Sequence, residues 1–395
     1  MKNADKLIAE IIPKKIDFEV DINKNQNLLI SAISDSSVLV IGGAGTIGSN
    51  YIKEILTFKP KKLVVVDFNE NLLTELTRDL RSSNLLDYKP IFTTYPVNLL
   101  SDTFDKIFFD NKFDTVANFS AHKHVRSEKD VISIEAMIKN NVYGIIKLLR
   151  LCKVNKPKYF FSVSTDKAAS PVNIMGASKL LMEKIILSYR NNLRVSTARF
   201  ANVAFSNGSL LDGFIYRIQK NQPISCPVDI KRFFVTPQQS GQICLLSTFL
   251  GCSGDIFFPK LDFKNDQIYF KDIAIKFLKY NKLKPHFSSS EAEAKSFNIK
   301  KDEYPVYFFK SDTSGEKHYE EFYTEKENVN LSDFFSLGKI TNLNNTNIDL
   351  DKVVNDFNLV FDKAIKSKND IIRVIKKYID NFNHIEKGKS LDEAM

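Results

Sequence analysis

The sequence is poor in cysteine, histidine and long apolar runs, and each shortage removes a class of protein. Its 395 residues include four cysteines, Cys152, Cys226, Cys244 and Cys252, with no C-x-x-C spacing. In a chain this long they read as reduced thiols of a cytoplasmic protein. No stretch approaches the roughly 18 uninterrupted apolar residues that a membrane helix needs, so no membrane insertion is expected. The apolar run Leu7–Ile12 is short, broken by Glu10 and followed by Pro13-Lys14-Lys15, which does not make a signal peptide. Charge of one sign is never concentrated. Lys+Arg 56 against Asp+Glu 47 leaves +9, yet five or six like charges never run together, which argues against a nucleic-acid tail. A mildly basic surface serves solubility and also suits anionic small substrates. Of five histidines, His122 and His124 form an H-x-H pair, but no cysteine cluster joins them, so no metal is expected. There is no internal repeat.

What remains is an ordinary globular composition, 43% apolar and 26% charged. At roughly 100–200 residues per domain, the length suggests two or three units. Residues 1–36 precede the first strong strand. Leu7, Ile8, Ile11 and Ile12 fit one helical face, and Leu28, Leu29, Ile30 and Ile33 a second short helix. Such helices either cover a core edge or contact another copy of the chain. From Val38 the pattern alternates. Strands are predicted at Val38–Ile41, Leu63–Val66, Thr115–Phe119, Tyr159–Val163 and Leu193–Arg199. Helices are predicted at Ile47–Thr57, Asn71–Ser82, Val131–Cys152 and Gly176–Arg190. Strands with little polar alternation, separated by helices, mean a parallel sheet covered on both faces, a doubly wound α/β domain over 37–200. Over 201–345 the alternation weakens, as in a smaller lobe built over the sheet's carboxyl edge. Ser288–Ser296 and Asn342–Asn347 read as polar loops. Residues 346–395 form a tail with helical spacing over Asp349–His384.

Gly42-Gly43-Ala44-Gly45-Thr46-Ile47-Gly48 follows a strand and opens a helix. Gly42, Gly45 and Gly48 then make a tight turn, a close backbone approach to a pyrophosphate, and close helix–strand packing. Thr46 and Ile47 start the helix whose N-terminus faces the phosphate charge. Asp67 ends the next strand about twenty residues on, where a carboxylate binds the adenosine ribose hydroxyls. Because it repels a 2′-phosphate, NAD is the expected cofactor rather than NADP. The plainer reading of Asp67 is a turn cap. Gly315-Glu316-Lys317 lacks the glycine spacing and hydroxyl of a Walker loop.

Ser162-Val163-Ser164-Thr165-Asp166-Lys167 leaves a strand at the same edge, and Met175-Gly176-Ala177-Ser178-Lys179 opens a helix soon after. Here the chain resembles the extended short-chain dehydrogenase/reductase superfamily, of Rossmann fold, whose active-site pair is Tyr-x-x-x-Lys. Met175 stands in the tyrosine's place, and a thioether handles no hydroxyl proton. Ser164–Ala168, Met175–Lys179 and Ala121-His122-Lys123-His124-Val125 together resemble the UDP-N-acetylglucosamine 4,6-dehydratase family. The similarity is to its bacterial capsule and polysaccharide branch, which carries this methionine. Phe68–Leu72, Asn140–Gly144, Arg199–Val203, Ser206–Ser209, Lys231–Thr236 and Ser314–Glu321 extend the resemblance over about residues 37–340. Three features depart from it. Ala201 and Asn207 replace a glycine and an arginine, Tyr95–Asn98 lacks an aspartate beside the adenine, and the membrane helices of the large members are missing.

The resemblance implies NAD-dependent 4,6-dehydration of a nucleotide-activated N-acetylhexosamine for surface glycans, with the C5 configuration kept. A hydride leaves C4, the ketone acidifies the C5 proton, the C6 hydroxyl departs, and the hydride returns at C6. An acid and a base must therefore sit side by side, and Asp166 and Lys167 supply them. Lys167 is expected to be the C5 base, its pKa depressed by a cationic neighbour such as Lys179, and Asp166 the acid for O6. Thr165 would orient the C4 hydroxyl and Lys179 hold the nicotinamide ribose. Ser164, Asn141 and Lys123 would position, and Arg232 (or Arg199), Asn202 and Ser209 would bind the nucleotide pyrophosphate. A homo-oligomer is expected, as is usual in this superfamily. A C4 epimerase or 4-keto reductase of the same superfamily is the enzymatic rival. A non-catalytic RNA-binding or assembly member is the rival of another class, marked by steeply salt-dependent RNA affinity without turnover.

Overall fold

Runs of apolar, β-branched residues can be buried on both faces only inside a helix-covered sheet, and they are. The computed structural model describes residues 4–12, 16–299, 302–312, 314–341, 348–380 and 382–386. The first six strands are β1 (Ser37–Ile41), β2 (Lys62–Asp67), β3 (Ile91–Pro96), β4 (Thr115–Asn118), β5 (Tyr159–Val163) and β6 (Val195–Ala198). They pair in parallel in the order β3-β2-β1-β4-β5-β6. The order reverses between β1 and β4, which opens a crevice at the carboxyl ends of those two strands. Strand β3 and the helix Asp102–Phe109 escape the sequence pattern. β3 is a sheet edge whose residues are exposed or half-buried, so it shows no continuous apolar run.

Later strands are β7 (Asn202–Val203), β8 (Ile224–Pro227), β9 (Lys231–Val235), β10 (Ile256–Pro259), β11 (Gln267–Tyr269), β12 (Lys284–Ser288), β13 (Glu303–Phe309), β14 (Asn328–Asn330) and β15 (Leu337–Thr341). Among the described residues, the large sheet has nine strands. β10 joins it parallel to β6, and β15 and β14 follow antiparallel. β11-β9-β7 and β12-β13-β8 form two small sheets of the lobe that follows. The predicted polar loop over Ser288–Ser296 instead holds the end of β12 and a helix, Glu291–Ser296, capped by Ser290. Asn342–Asn347 lie outside the described residues.

Terminal segments cover the core. Leu7, Ile8, Ile11 and Ile12 pack with Phe214, Ile273 and Phe277 of the smaller lobe. In the helix Gln26–Ile33, Leu29 and Ile33 are buried, while Leu28 and Ile30 face solvent. The tail is two helices, Leu350–Phe361 and Lys368–Tyr378, rather than one. Ile365, which fits the helical spacing, falls between them and is exposed. Val353, Phe357 and Ile375 bury against Ile138, Ile145 and Ile185. Where one helix over Val131–Cys152 is expected, a π-turn at Lys139–Tyr143 separates Val131–Ile138 from Gly144–Val154. Such turns tend to mark functional sites.

Beyond the end of β6, Arg199 is fully buried and fully paired. Its Nε and Nη2 donate to Glu183 at 3.1 and 2.8 Å. Nη1 and Nη2 donate to Glu327 at 3.0 and 2.8 Å, and Nη1 also to the Phe322 carbonyl at 3.0 Å. This answers the alternative that Arg199 binds the pyrophosphate: its donors are committed inside the protein. A buried charge stripped of its partner is costly. Glu183→Ala is therefore expected to lower unfolding free energy by about 3–5 kcal/mol, read by urea denaturation. A loss under about 1 kcal/mol contradicts the cluster's role.

Candidate active site

The glycine loop turns at the end of β1. The Gly42 amide donates to the Val66 carbonyl at 2.7 Å. Its φ is +70°, and a Cβ there would sit 2.6 Å from the Ser120 nitrogen. Gly48 is the packing glycine: a Cβ would fall 2.5 Å from the Gly42 carbonyl oxygen. Gly45, at the cap of the helix Thr46–Leu56, has only that same oxygen nearby, at 3.6 Å. Its role is therefore not to relieve crowding within the protein. Asp67, at the end of β2, is nearly buried. One carboxylate oxygen accepts from the Ala44 amide at 3.1 Å and the other from the Asn69 amide at 3.0 Å. It caps a turn and braces the loop at once, from a position on the cleft wall.

The cleft has a volume of about 490 Å³. Gly42, Gly45, Thr46, Ile47, Gly48 and Asp67 line one side. Ser164, Thr165, Asp166, Lys167, Met175 and Lys179 line it from β5 and the helix Ile174–Ser188, and Lys123, Asn202 and Ser209 also reach it. The segment around Asn207 bridges the mouth. Its amide donates to Thr46 Oγ1 at 3.0 Å, and its carbonyl accepts from Lys123 Nζ at 3.1 Å. Ser209 Oγ caps the helix Leu210–Gln219.

Beyond β5 the backbone is pinned, with the Ser164 and Asp166 amides donating to the Ala198 and Phe200 carbonyls. Thr165 Oγ1 donates to Asp166 Oδ1 at 3.0 Å, and Lys167 Nζ donates to the same oxygen at 3.1 Å. Asp166 Oδ2 is buried with no hydrogen-bond partner among the described residues.

The two lysines differ from expectation. Burial alone would depress Lys167, but attraction to Asp166 and then to Glu320 outweighs burial and the opposing Arg232. Its pKa is raised, and at rest it is an ammonium. Lys179 is depressed instead: burial pushes it down to about 8 against the pull of Glu183. Its Nζ donates to the Val163 carbonyl at 2.7 Å.

Two predicted contacts do not line the cleft, and a third lines it but spends its hydroxyl inside the protein. Asn141, on the π-turn, accepts from the His122 amide at 2.9 Å and donates to the His122 carbonyl and Ser178 Oγ, both at 3.0 Å. With both amide ends used, it splints the His122 loop to the Met175 helix. Arg232 is buried behind the wall, donating to its neighbour's carbonyl and lying 3.5 Å from Glu316 and 3.8 Å from Glu320. Buried charges take internal partners, and these carboxylates hold it. The Ser164 hydroxyl donates to Glu183.

Sequence reasoning missed two acids. Glu320 is buried, with Oε1 3.6 Å from Lys167 Nζ. Its only signal was its place in the Ser314–Glu321 stretch. Glu128 accepts from the Met175 amide at 2.8 Å, and its other oxygen lies 3.4 Å from His384 Nε2. Ile385 clamps that tail segment, its amide donating to the Val172 carbonyl and its carbonyl accepting from the Gly315 amide, both at 2.9 Å.

Known proteins place this arrangement. The model of a family described as polysaccharide biosynthesis protein matches residues 38–341. The chain is 30% identical to MJ1061 of Methanocaldococcus jannaschii, named as an uncharacterized membrane protein, over 76% of this chain and 84% of that one. It is 29% identical to the UDP-N-acetylglucosamine 4,6-dehydratase (inverting) of Campylobacter jejuni, over 57% of this chain and 67% of the relative. It is 26% identical to a UDP-glucose 4-epimerase of Rickettsia bellii, over 76% and 81%. Against the capsular polysaccharide biosynthesis protein CapD of Staphylococcus aureus, the 27% identical match spans 39% of CapD's length. Among solved structures, Pen from Bacillus thuringiensis superposes with a TM-score of 0.65 at 23% identity, over 82% of this chain and 97% of that one. The Bordetella bronchiseptica enzyme WbmF, solved in complex with NADH, gives 0.52 at 18%, over 64% and 80%. The fold and its relatives define an enzyme of the nucleotide-sugar dehydratase and epimerase superfamily. The chain belongs to the polysaccharide biosynthesis protein family. Among the described residues, no helix is long and apolar enough to cross a membrane.

Gly48 tests the loop. Gly48→Ala forces a Cβ against the Gly42 carbonyl, with an expected cost of about 1–3 kcal/mol in chemical denaturation. An unchanged midpoint contradicts the close packing.

Proposed function

We propose that the chain catalyses the 4,6-dehydration of a UDP-activated N-acetylhexosamine, UDP-N-acetylglucosamine first among them, with NAD as a cofactor regenerated in each turnover. One observation carries this reading: an adjacent acid and cation, Asp166 and Lys167, line the cleft where Met175 leaves no phenol. The name of the Campylobacter relative supports the substrate and reaction. The glycine cradle fits a dinucleotide. Gly42, Gly45, Thr46, Ile47 and Gly48 hold its pyrophosphate, Asp67 its adenosine ribose, and Lys179 its nicotinamide ribose. Bound there, NAD supplies a site that accepts a hydride from C4 and returns it at C6.

The protein's own groups move the protons. Thr165 orients the C4 hydroxyl, and Asp166 takes its proton. The acid so formed protonates O6 as that oxygen leaves as water. Lys167, as the amine, removes the C5 proton and later returns it, so the configuration at C5 is kept. The Campylobacter relative is named as inverting, and the product's C5 configuration separates the two outcomes. Lys123, Asn202 and Ser209 contact the nucleotide sugar, while Asn141 and Arg232 act from behind the wall. The Rickettsia relative supports a second reading, C4 epimerisation, which needs no elimination pair.

Purified protein with UDP-N-acetylglucosamine is expected to give a 4-keto-6-deoxy product lighter by one water. Lys167→Ala and Asp166→Asn are each expected to slow its formation about 10²–10⁴-fold, followed by mass spectrometry. A product of unchanged mass marks an epimerase, and undiminished product from Lys167→Ala removes that residue's role. NAD affinity is expected to fall as pH rises past about 8, where Lys179 loses its charge. The limit is about tenfold per pH unit, because binding must then take up a proton. Titration calorimetry at several pH values reads this, and Lys179→Met should flatten the profile. A wild-type affinity independent of pH argues against the Lys179 contact.

A further inference from the structure

Lys167 is the base of the proposed elimination, yet the structure holds it as an ammonium, and an ammonium cannot accept the C5 proton. Some group must take its proton first. Asp166 Oδ1 lies nearest, but Asp166 has to receive the C4 proton and pass it to O6, so it is engaged in the same turnover. Among the described residues, the other charged groups that bear on Lys167 are Arg232 and Glu320. Arg232, from β9, is a cation and accepts nothing. Glu320 comes from the segment after β13, with Oε1 3.6 Å from Lys167 Nζ and 3.8 Å from Arg232 Nη2. Glu316 pairs with Arg232 at 3.5 Å and with Ser311, and Lys317 bears on Glu320 from the same segment.

We propose that Glu320 is a positioning residue that takes the ammonium proton of Lys167 and so frees its amine toward the cleft. One N–H bond at Nζ breaks, one O–H bond forms at Oε1, and the pair's total charge stays zero. The gap is one that a lysine, with four rotatable stem bonds, closes by a small adjustment. Burial favours the neutral pair, because it penalises both charged forms. Glu320 is already displaced in that direction: burial, together with the neighbouring Asp166 charge, raises its pKa against the pull of Lys167, Arg232 and Lys317. The proton then rests on Glu320 through the cycle. Lys167 takes the C5 proton, returns it and ends again as an amine. Glu320 is missing from the cleft wall, so it acts through Lys167 and not on the sugar.

This inference rests on the elimination reading for its purpose, but its first measurement needs no product. Competitive acetylation of the folded protein with acetic anhydride, followed by peptide mass spectrometry, reads the pH at which Lys167 becomes half reactive. Glu320→Gln is expected to lower that pH by about one unit or more, since a carboxylate that favours the ammonium is gone. Glu316→Gln, which removes a partner of Arg232 and not of Lys167, is expected to leave it in place. Turnover supplies the second readout. The wild-type rate is expected to be flat from neutral to mildly alkaline pH, because the proton passes inside the pair. In Glu320→Gln the amine must be freed by solvent, so the rate is expected to fall at neutral pH and climb with pH, at most about tenfold per unit. Glu320→Asp should restore part of the flat profile, and it carries the labelling test should the glutamine variant not fold. An unmoved labelling pH in a folded variant overturns the proposal, as does a rate profile parallel to wild type. If the labelling pH falls while wild-type protein yields no dehydrated product, the elimination reading fails and the link between Glu320 and Lys167 stands.

Discussion

Arg199 and Arg232 lie buried behind the cleft and Lys167 lies half-buried on its wall, and a single stretch of chain supplies carboxylates to all three. Glu316 and Glu320 face Arg232, Glu320 also faces Lys167, and Glu327 clasps Arg199 together with Glu183. A buried charge is tolerated only when it is paired, so these contacts fix how 316–327 docks on the sheet. Phe322 anchors the same stretch among aromatic side chains, 4.9 Å from Phe233 between ring centres and stacked on Phe258 at 5.9 Å. Its carbonyl accepts from Arg199 as well. The stretch therefore links β5, β6 and β9 at their cleft-facing ends. The site's floor is an electrostatic assembly as much as a sheet edge, and within it Glu320 is the acid of this stretch that bears on Lys167.

How much was legible before any coordinates follows from which forces leave a local imprint. Val38–Ile41 and Leu63–Val66 are buried on both faces, and that condition writes itself as an unbroken apolar run. The glycines at 42 and 48 are demanded by contacts of 2.6 and 2.5 Å that no side chain tolerates, so spacing alone revealed them. β3 failed because an edge strand carries only half of that signal. The π-turn failed because one extra residue in a helical turn leaves the apolar periodicity nearly intact. Glu320 and the acids beside Arg232 escaped for another reason. Their partners lie far away in sequence, and nothing in a polar segment distinguishes an acid that meets solvent from one that meets a half-buried lysine. Arg232 reads as a buried charge in need of a partner, and Glu316 and Glu320 lie beside it.

Met175 shows how the helix start is held without a hydroxyl. The Asn173 side chain caps the helix, and its amide group donates to the Gly315 carbonyl at 2.7 Å. Glu128 takes the Met175 amide and lies beside His384 of the tail. The tail thus reaches both Glu128 and, through Ile385, the backbone of Gly315 that precedes the acidic stretch. Its two helices also cover the face formed by 131–154 and 174–188, with the Tyr143 hydroxyl donating to Asn358 at 2.8 Å. A segment remote in sequence therefore sets the position of the residue that replaces the phenol.

Two of the lysines that line the cleft, Lys167 and Lys179, have environments that pull apart. Lys179 is buried against a carbonyl and a thioether with one carboxylate acting on it, and its charge is weakened. Lys167 sits between two carboxylates, and its charge is reinforced. Groups of one kind driven in opposite directions divide labour. On pKa alone Lys179 is the better base at neutral pH, but its ammonium is directed to the Val163 carbonyl, inside the β5 end. Lys167 has the better position beside Asp166 and the worse resting charge. Position cannot be changed by moving a proton, whereas charge can, provided an acceptor is at hand. That asymmetry is why a second carboxylate next to Lys167 matters more to the chemistry than the depressed lysine nearby.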